Sequence, residues 1–213
     1  MLNSDPCVFI VDDDATIRAS LSRALELRGF NTRTYDSAKA FLEIYDTDQP
    51  GCLVLGYGMP DMSGLELQEI LVDSGRDIPT IFITGHGGVP ESVRAMKRGA
   101  IDFLEKPFRQ EMLVERITEA LRVDANNRKH REKSRDVHER FDRLTGREKE
   151  IAHLLVSNPS HTSSKEVGRE LDISPRTVDH HRARILEKMN VNSVAELIEL
   201  SLNAQLFAPQ NSD

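Results

Sequence analysis

Five residues stand at the ends of short apolar runs. Asp12 and Asp13 follow Cys7–Val11, and Gly56 follows Cys52–Leu55. Thr84 closes Pro79–Thr84, and Lys106 follows Ile101–Glu105. Runs of this length and composition read as strands buried on both faces. The carboxyl edge of an open α/β sheet is where ligands and chemistry gather. Two adjacent carboxylates repel, and a lysine beside them can neutralise one. Thr84 adds a hydroxyl; Gly56 adds nothing. A second set lies on one predicted helix, Pro175–Met189, which carries four basic and two acidic residues and two histidines between Arg176 and Lys188. Val178, Ile185 and Met189 are spaced to face a core, which leaves a basic face suited to phosphates and groove edges.

The elements that must position the first set alternate. After the first strand, Ile17, Leu21, Ala24, Leu25 and Leu27 fall at helical spacing, and Gly29 stops the helix. Asn31–Tyr35 reads as a strand. Ser37 starts a helix with Ala40, Phe41 and Ile44 on one face. Ser63-Gly64-Leu65-Glu66 is a capping box opening a helix through Leu67, Ile70 and Leu71. Gly85–Val89 reads as a loop, with Pro90 as the first residue of a helix ending at Gly99. A last helix runs from about Arg109 past Leu121. Five strands alternating with five helices predict an α/β fold, a doubly wound five-stranded parallel sheet over residues 1–122. All five strand-end residues then share one crevice.

Residues 123–142 alternate in charge and lack Gly and Pro, which reads as an exposed helix prolonging the previous one or as a mobile linker. Residues 143–213 read as an all-α domain of four helices with a helix-turn-helix at its centre. Thr145–Glu148 caps the first helix. Ser164–Leu171 is the second, with Val167 and Leu171 inward. Ser174 caps the third, with Pro175 at its first position, and Ser193–Glu196 caps the fourth. Ser157–Lys165 reads as a solvated loop before the second.

The chain has 213 residues, 38% hydrophobic and 30% charged, with no run of about 18 apolar residues and no signal-like N-terminus. A soluble, cytoplasmic protein without membrane contact is expected. The net charge of −7 is uneven: 13 Lys/Arg against 20 Asp/Glu in residues 1–122, 6 against 5 in 123–142, and 9 against 10 in 143–213. Any nucleic-acid surface must therefore be local. Cys7 and Cys52 open neighbouring strands, so they are two small buried hydrophobes or a redox pair. No His/Cys cluster has zinc spacing.

Val11–Asp14, Met59–Gly64, Thr84–Gly87 and Asp102–Phe108 together resemble a bacterial response-regulator receiver domain. Leu144–Glu148 and Ile173–Val178 resemble a LuxR-type helix-turn-helix. Their order is similar to the NarL/FixJ family, the FixJ-like branch above all. The resemblance implies aspartyl-phosphate chemistry: a carboxylate attacks phosphorus while Mg²⁺, held by two further acids, neutralises developing charge. It makes Asp12 and Asp13 the metal carboxylates, Lys106 the phosphate-site lysine, Thr84 the switch hydroxyl and Phe103 the switch aromatic. It also implies that Asp179, His180 and Ala183 read base edges, while Lys165, Arg176, Thr177, Arg184 and Lys188 hold phosphates.

The family's phosphoacceptor position is occupied by Gly56, which cannot accept a phosphoryl group. Mg²⁺ affinity should fall with the lost carboxylate, and Lys106 should pair with Asp12 or Asp13. The expectation is a non-enzymatic transcription regulator with a receiver uncoupled from phosphorylation. Implied partners are double-stranded promoter DNA, a second copy through Pro90–Arg98 and Asp102–Glu105, RNA polymerase, and a histidine kinase or other signalling protein. Two alternatives stay open: phosphorylation through another acid, Asp61 or Asp14, and an adaptor that no longer reads DNA.

Overall fold

The computed structural model describes residues 5–85, 89–160 and 163–207. The chain forms two compact units, residues 1–128 and 129–213.

In the first unit the elements run β1 (Cys7–Val11), α1 (Ala15–Glu26), β2 (Asn31–Tyr35), α2 (Ala38–Ile44), β3 (Gly51–Gly56), α3 (Gly64–Asp73), β4 (Thr80–Thr84), α4 (Val89–Lys97) and β5 (Asp102–Glu105). The helix α5 (Gln110–Asp142) follows. All strand pairs are parallel, in the order β2-β1-β3-β4-β5. Side chains alternate between faces along each strand. Phe9, Val11, Leu53, Leu55 and Phe82 therefore pack with α2, α3 and α4 residues such as Phe41, Leu67 and Leu71. Val8, Ile10, Val54, Ile81 and Ile83 pack on the other side with Leu25, Leu113, Ile117 and Ala120.

The register separates the cysteines. Cys7 pairs with Gly51 and Val8 with Cys52, so the thiols point to opposite faces of the sheet, and the redox-pair alternative falls. Helical spacing also overreached at three positions. Leu27 is 79% exposed because the chain reverses at Gly29 (φ +86) and Phe30 packs inward instead. Ile44 is 64% exposed because α2 ends there and Tyr45 stacks on Phe41, ring centroids 4.8 Å apart. Ile70 is 40% exposed, since Leu67, Gln68 and Leu71 take the inner face of α3. The helix α4 starts at Val89, one residue before Pro90, and residues 86–88 of the glycine loop lie outside the described residues.

Residues 123–142 do not form a separate segment: they are part of α5, and the boundary between units falls inside the helix, between Arg128 and Lys129. Buried Asp124 accepts the Gly51 N–H at 2.9 Å and pairs with Arg128 at 2.8 Å. Arg128 also donates to the carbonyls of Asp48 and Gln49, tying this part of α5 to the entry of β3.

The second unit adds α6 (Gly146–Ser157), α7 (Ser164–Glu170), α8 (Pro175–Met189) and α9 (Val194–Asn203). Capping boxes at Thr145 and Ser163, and side-chain caps at Ser174 and Ser193, satisfy N–H groups that the first helical turns leave free. Ile151, Leu155, Val167, Val178, Ile185, Met189 and Leu197 form its core, and Val137 of α5 is buried among them. A Cβ on Gly168 would meet the Ile173 carbonyl oxygen at 2.7 Å, so glycine lets α7 lie against the turn that enters α8.

Candidate functional site

The parallel sheet brings Asp12, Asp13, Gly56, Thr84 and Lys106 to one open cavity of about 310 Å³, lined also by Asp14, Ile17, Tyr57, Gly58, Ile83 and Gly85. Asp12 is buried one residue past β1. Its Oδ1 accepts the Asp14 N–H at 2.9 Å, and its Oδ2 lies 3.2 Å from Lys106 Nζ. Asp13 is exposed. Asp14 caps α1, accepting the N–H groups of Thr16 at 2.7 Å and Ile17 at 3.3 Å. Those two bonds hold its carboxyl below the usual range. Thr84 is buried, and its carbonyl accepts the Lys106 N–H at 2.7 Å, which fixes the lysine beside it; the Lys106–Pro107 peptide bond is cis.

Gly56 is buried at the end of β3, and a Cβ there would sit 3.1 Å from Asp12 Oδ2. The loop after it folds back: Tyr57 N–H donates to Ile83, and Gly64 N–H donates to Tyr57. Gly64 lies against the strand end so closely that its own Cβ would meet the Gly56 carbonyl oxygen at 2.4 Å. Asp61, with φ +65, is exposed and does not line the cavity. Phe103 does not line it either. It sits behind, with ring centroids 5.7 Å from Tyr57 and 6.0 Å from Phe82. Tyr57 was missed in the sequence; its signal was an aromatic directly after the strand-end glycine.

The donor set is one carboxylate short of the cation site that the resemblance implies, with Asp13 left at the cavity. Asp12 is committed to Lys106 and to a backbone N–H, and Gly56 offers no oxygen ligand from a side chain. Among the described residues no three His, Cys, Asp or Glu side chains gather as ligands.

In the second unit α8 buries Val178, Ile185 and Met189. Arg176, Asp179, His180, Ala183 and Arg184 are exposed on it, Thr177 is half-buried, and Lys165 is exposed on α7. Thr177 Oγ1 lies 2.7 Å from the Ser174 hydroxyl, and Ser164 Oγ donates to the Asp179 carboxylate. The exception is Lys188. It follows Ile185 by three residues and precedes Met189, which turns it toward the core side of the helix. Its Nζ lies 2.6 Å from buried Glu148 and 3.3 Å from the Arg143 carbonyl, so it is an internal ion-pair partner rather than a phosphate holder.

Residues 8–118 match the family described as response regulator receiver domain, and residues 142–201 match bacterial regulatory proteins of the luxR family. The transcriptional regulatory protein FixJ of Bradyrhizobium diazoefficiens is 38% identical over 94% of this chain and 96% of its own length. The solved structure of the response regulator StyR is 43% identical, with a TM-score of 0.78 over 93% of this chain and 99% of that one. Full-length FixJ from B. japonicum is 36% identical, with a TM-score of 0.56 over 96% and 100%. The chain belongs to the NarL/FixJ family of response regulators, DNA-binding transcription regulators that join a receiver domain to a LuxR-type helix-turn-helix.

Proposed function

We propose that this regulator acts without phosphoryl transfer to the end of β3, and that its receiver is a dimerisation and regulatory module rather than a phosphate-gated switch. One observation carries the reading: Gly56 stands where the acceptor carboxylate would be, with Lys106 drawn onto Asp12 beside it. The other acids are poorly placed. Asp14 spends its carboxylate on capping α1, and Asp61 is outside the cavity. With a third carboxylate absent, Mg²⁺ affinity is low.

In this reading the chain binds pseudo-palindromic promoter DNA as a homodimer and works with RNA polymerase; any histidine kinase partner acts by docking. Arg176, Thr177, Arg184 and Lys165 grip phosphates, while Asp179, His180 and Ala183 face base edges. The protein turns over no external substrate. The experiment is incubation of the full chain with acetyl phosphate and Mg²⁺, read by intact-protein mass spectrometry beside DNA binding. No added phosphoryl group and unchanged DNA affinity are expected. A stoichiometric, hydroxylamine-labile adduct overturns the reading.

A further inference from the structure

The last turns of α5 hold one end of α8. Arg140 is fixed by Asp136 one helical turn earlier, with Nη2 2.5 Å from Oδ2. From there its Nη1 donates to the carbonyl oxygen of Met189, the last residue of α8, at 3.3 Å. The hold is reciprocal, because Lys188 of α8 donates to the carbonyl of Arg143 just past α5. Carbonyls at a helix C-terminus lack intrahelical donors and carry the negative end of the dipole, so a guanidinium suits them. Beneath these contacts Val137 is buried in the same core as Val178, Ile185 and Met189.

Arg140 reaches α8 through the Met189 carbonyl. It meets the helix at its C-terminal end, nine to ten residues beyond His180 and Asp179, about 15 Å away at 1.5 Å per residue. Over that length a rotation of about 5° moves those two residues by roughly 1 Å. Hydrogen bonds to base edges do not survive such a shift, whereas contacts to phosphates through long flexible side chains do.

We propose that Arg140 is a positioning residue for sequence reading: its bond to Met189 sets the angle of α8, and with it the discrimination between DNA sequences. This rests on α8 being the DNA-reading helix. The test uses the full chain and a duplex enriched from a random pool by the unaltered protein. Affinities are measured at one salt concentration for that duplex and for a scrambled duplex of equal composition. Arg140→Gln should lower the ratio of the two affinities by about tenfold, the scale of one or two spoiled base contacts. The lost charge affects both duplexes alike and cancels in the ratio. Arg140→Lys keeps the charge but not the fork that spans Asp136 and Met189, and should lower the ratio by a smaller factor. Folding of each variant is checked by circular dichroism; if Arg140→Gln melts, Arg140→Lys decides. An unchanged ratio in a folded variant overturns the positioning role alone. Failure of the unaltered chain to enrich any duplex overturns both that role and the DNA-reading assignment of α8.

Discussion

Lys106 Nζ lies 3.2 Å from Asp12 Oδ2, and that same oxygen is 3.1 Å from where a Cβ on Gly56 would sit. One carboxylate thus faces both Lys106 and the missing side chain. Restoring an acid with Gly56→Asp forces Asp12 to shift by a few tenths of an ångström and adds a second buried negative charge beside it. That variant should bind Mg²⁺ at least roughly tenfold more tightly than the unaltered chain, because a hard cation then relieves the repulsion. Isothermal titration calorimetry checks this; equal affinities would show that Gly56 is not what weakens the site.

The pair on the other unit makes a pH prediction. Burial alone would raise the Glu148 carboxyl, but bonds from Lys188 and from the Thr145 N–H outweigh it and hold it below its ordinary value of 4.5. A carboxyl depressed in the folded state stabilises fully above its unfolded value, and the contribution fades as pH falls through the folded one. The second unit should therefore melt at a constant temperature from neutrality to about pH 5 and lose stability below about pH 4.5. Glu148→Gln should flatten that acid limb and cost about 1–3 kcal/mol at neutral pH, since Lys188 loses its partner. Thermal unfolding by circular dichroism across pH reads both.

Charges on α8 should separate by role. Arg184→Ala should weaken binding to every duplex and reduce the slope of log affinity against log salt by about one. His180→Ala should cost about 1–3 kcal/mol on the selected duplex and little on a scrambled one. Lys188→Gln should leave the salt slope unchanged and lower the melting temperature instead, because its ammonium is spent on Glu148. Fluorescence anisotropy with labelled duplexes over a salt series measures all three.

Asp124 gives a test of where the first unit ends. Its carboxylate is the acceptor for the Gly51 N–H at the entry of β3. Asp124→Ala should destabilise the first unit by about 1–3 kcal/mol, the cost of a buried N–H left without a partner. A receiver fragment ending at residue 122 should show the same loss relative to one ending at 128. Urea unfolding compares them.

The alternation of apolar runs with helical patterns announced the sheet, and Ser63, Thr145 and Ser174 announced helix starts, because caps and buried strands are written in local sequence. What failed was set by tertiary choice. Ile44 obeys the helical period, yet Tyr45 takes its place in the core once α2 ends. Lys188 looked like one more surface cation, and only the arrival of Glu148 from α6 turns it inward. Residues 123–142 left two readings open, a prolonged helix or a mobile linker, because their composition is polar, and α5 runs through all of them. A few anchoring positions, Asp124 and Arg128 for one unit and Val137 and Arg140 for the other, decide their place, and no composition count reveals four residues. The strand-end cluster was legible as a cluster because all the strands are parallel and all their carboxyl ends coincide.

The pairing of Val8 with Cys52 and Cys7 with Gly51 has a practical side. The chain's two thiols are both enclosed, on separate faces of the sheet, and burial pushes each further from its reactive thiolate. The native protein therefore offers a silent background for maleimide chemistry. A single cysteine placed at Ala19, exposed on α1 and away from the DNA-reading helix, would take a spin or fluorescent label by itself, so the regulator can be followed on DNA without first stripping its own sulfur.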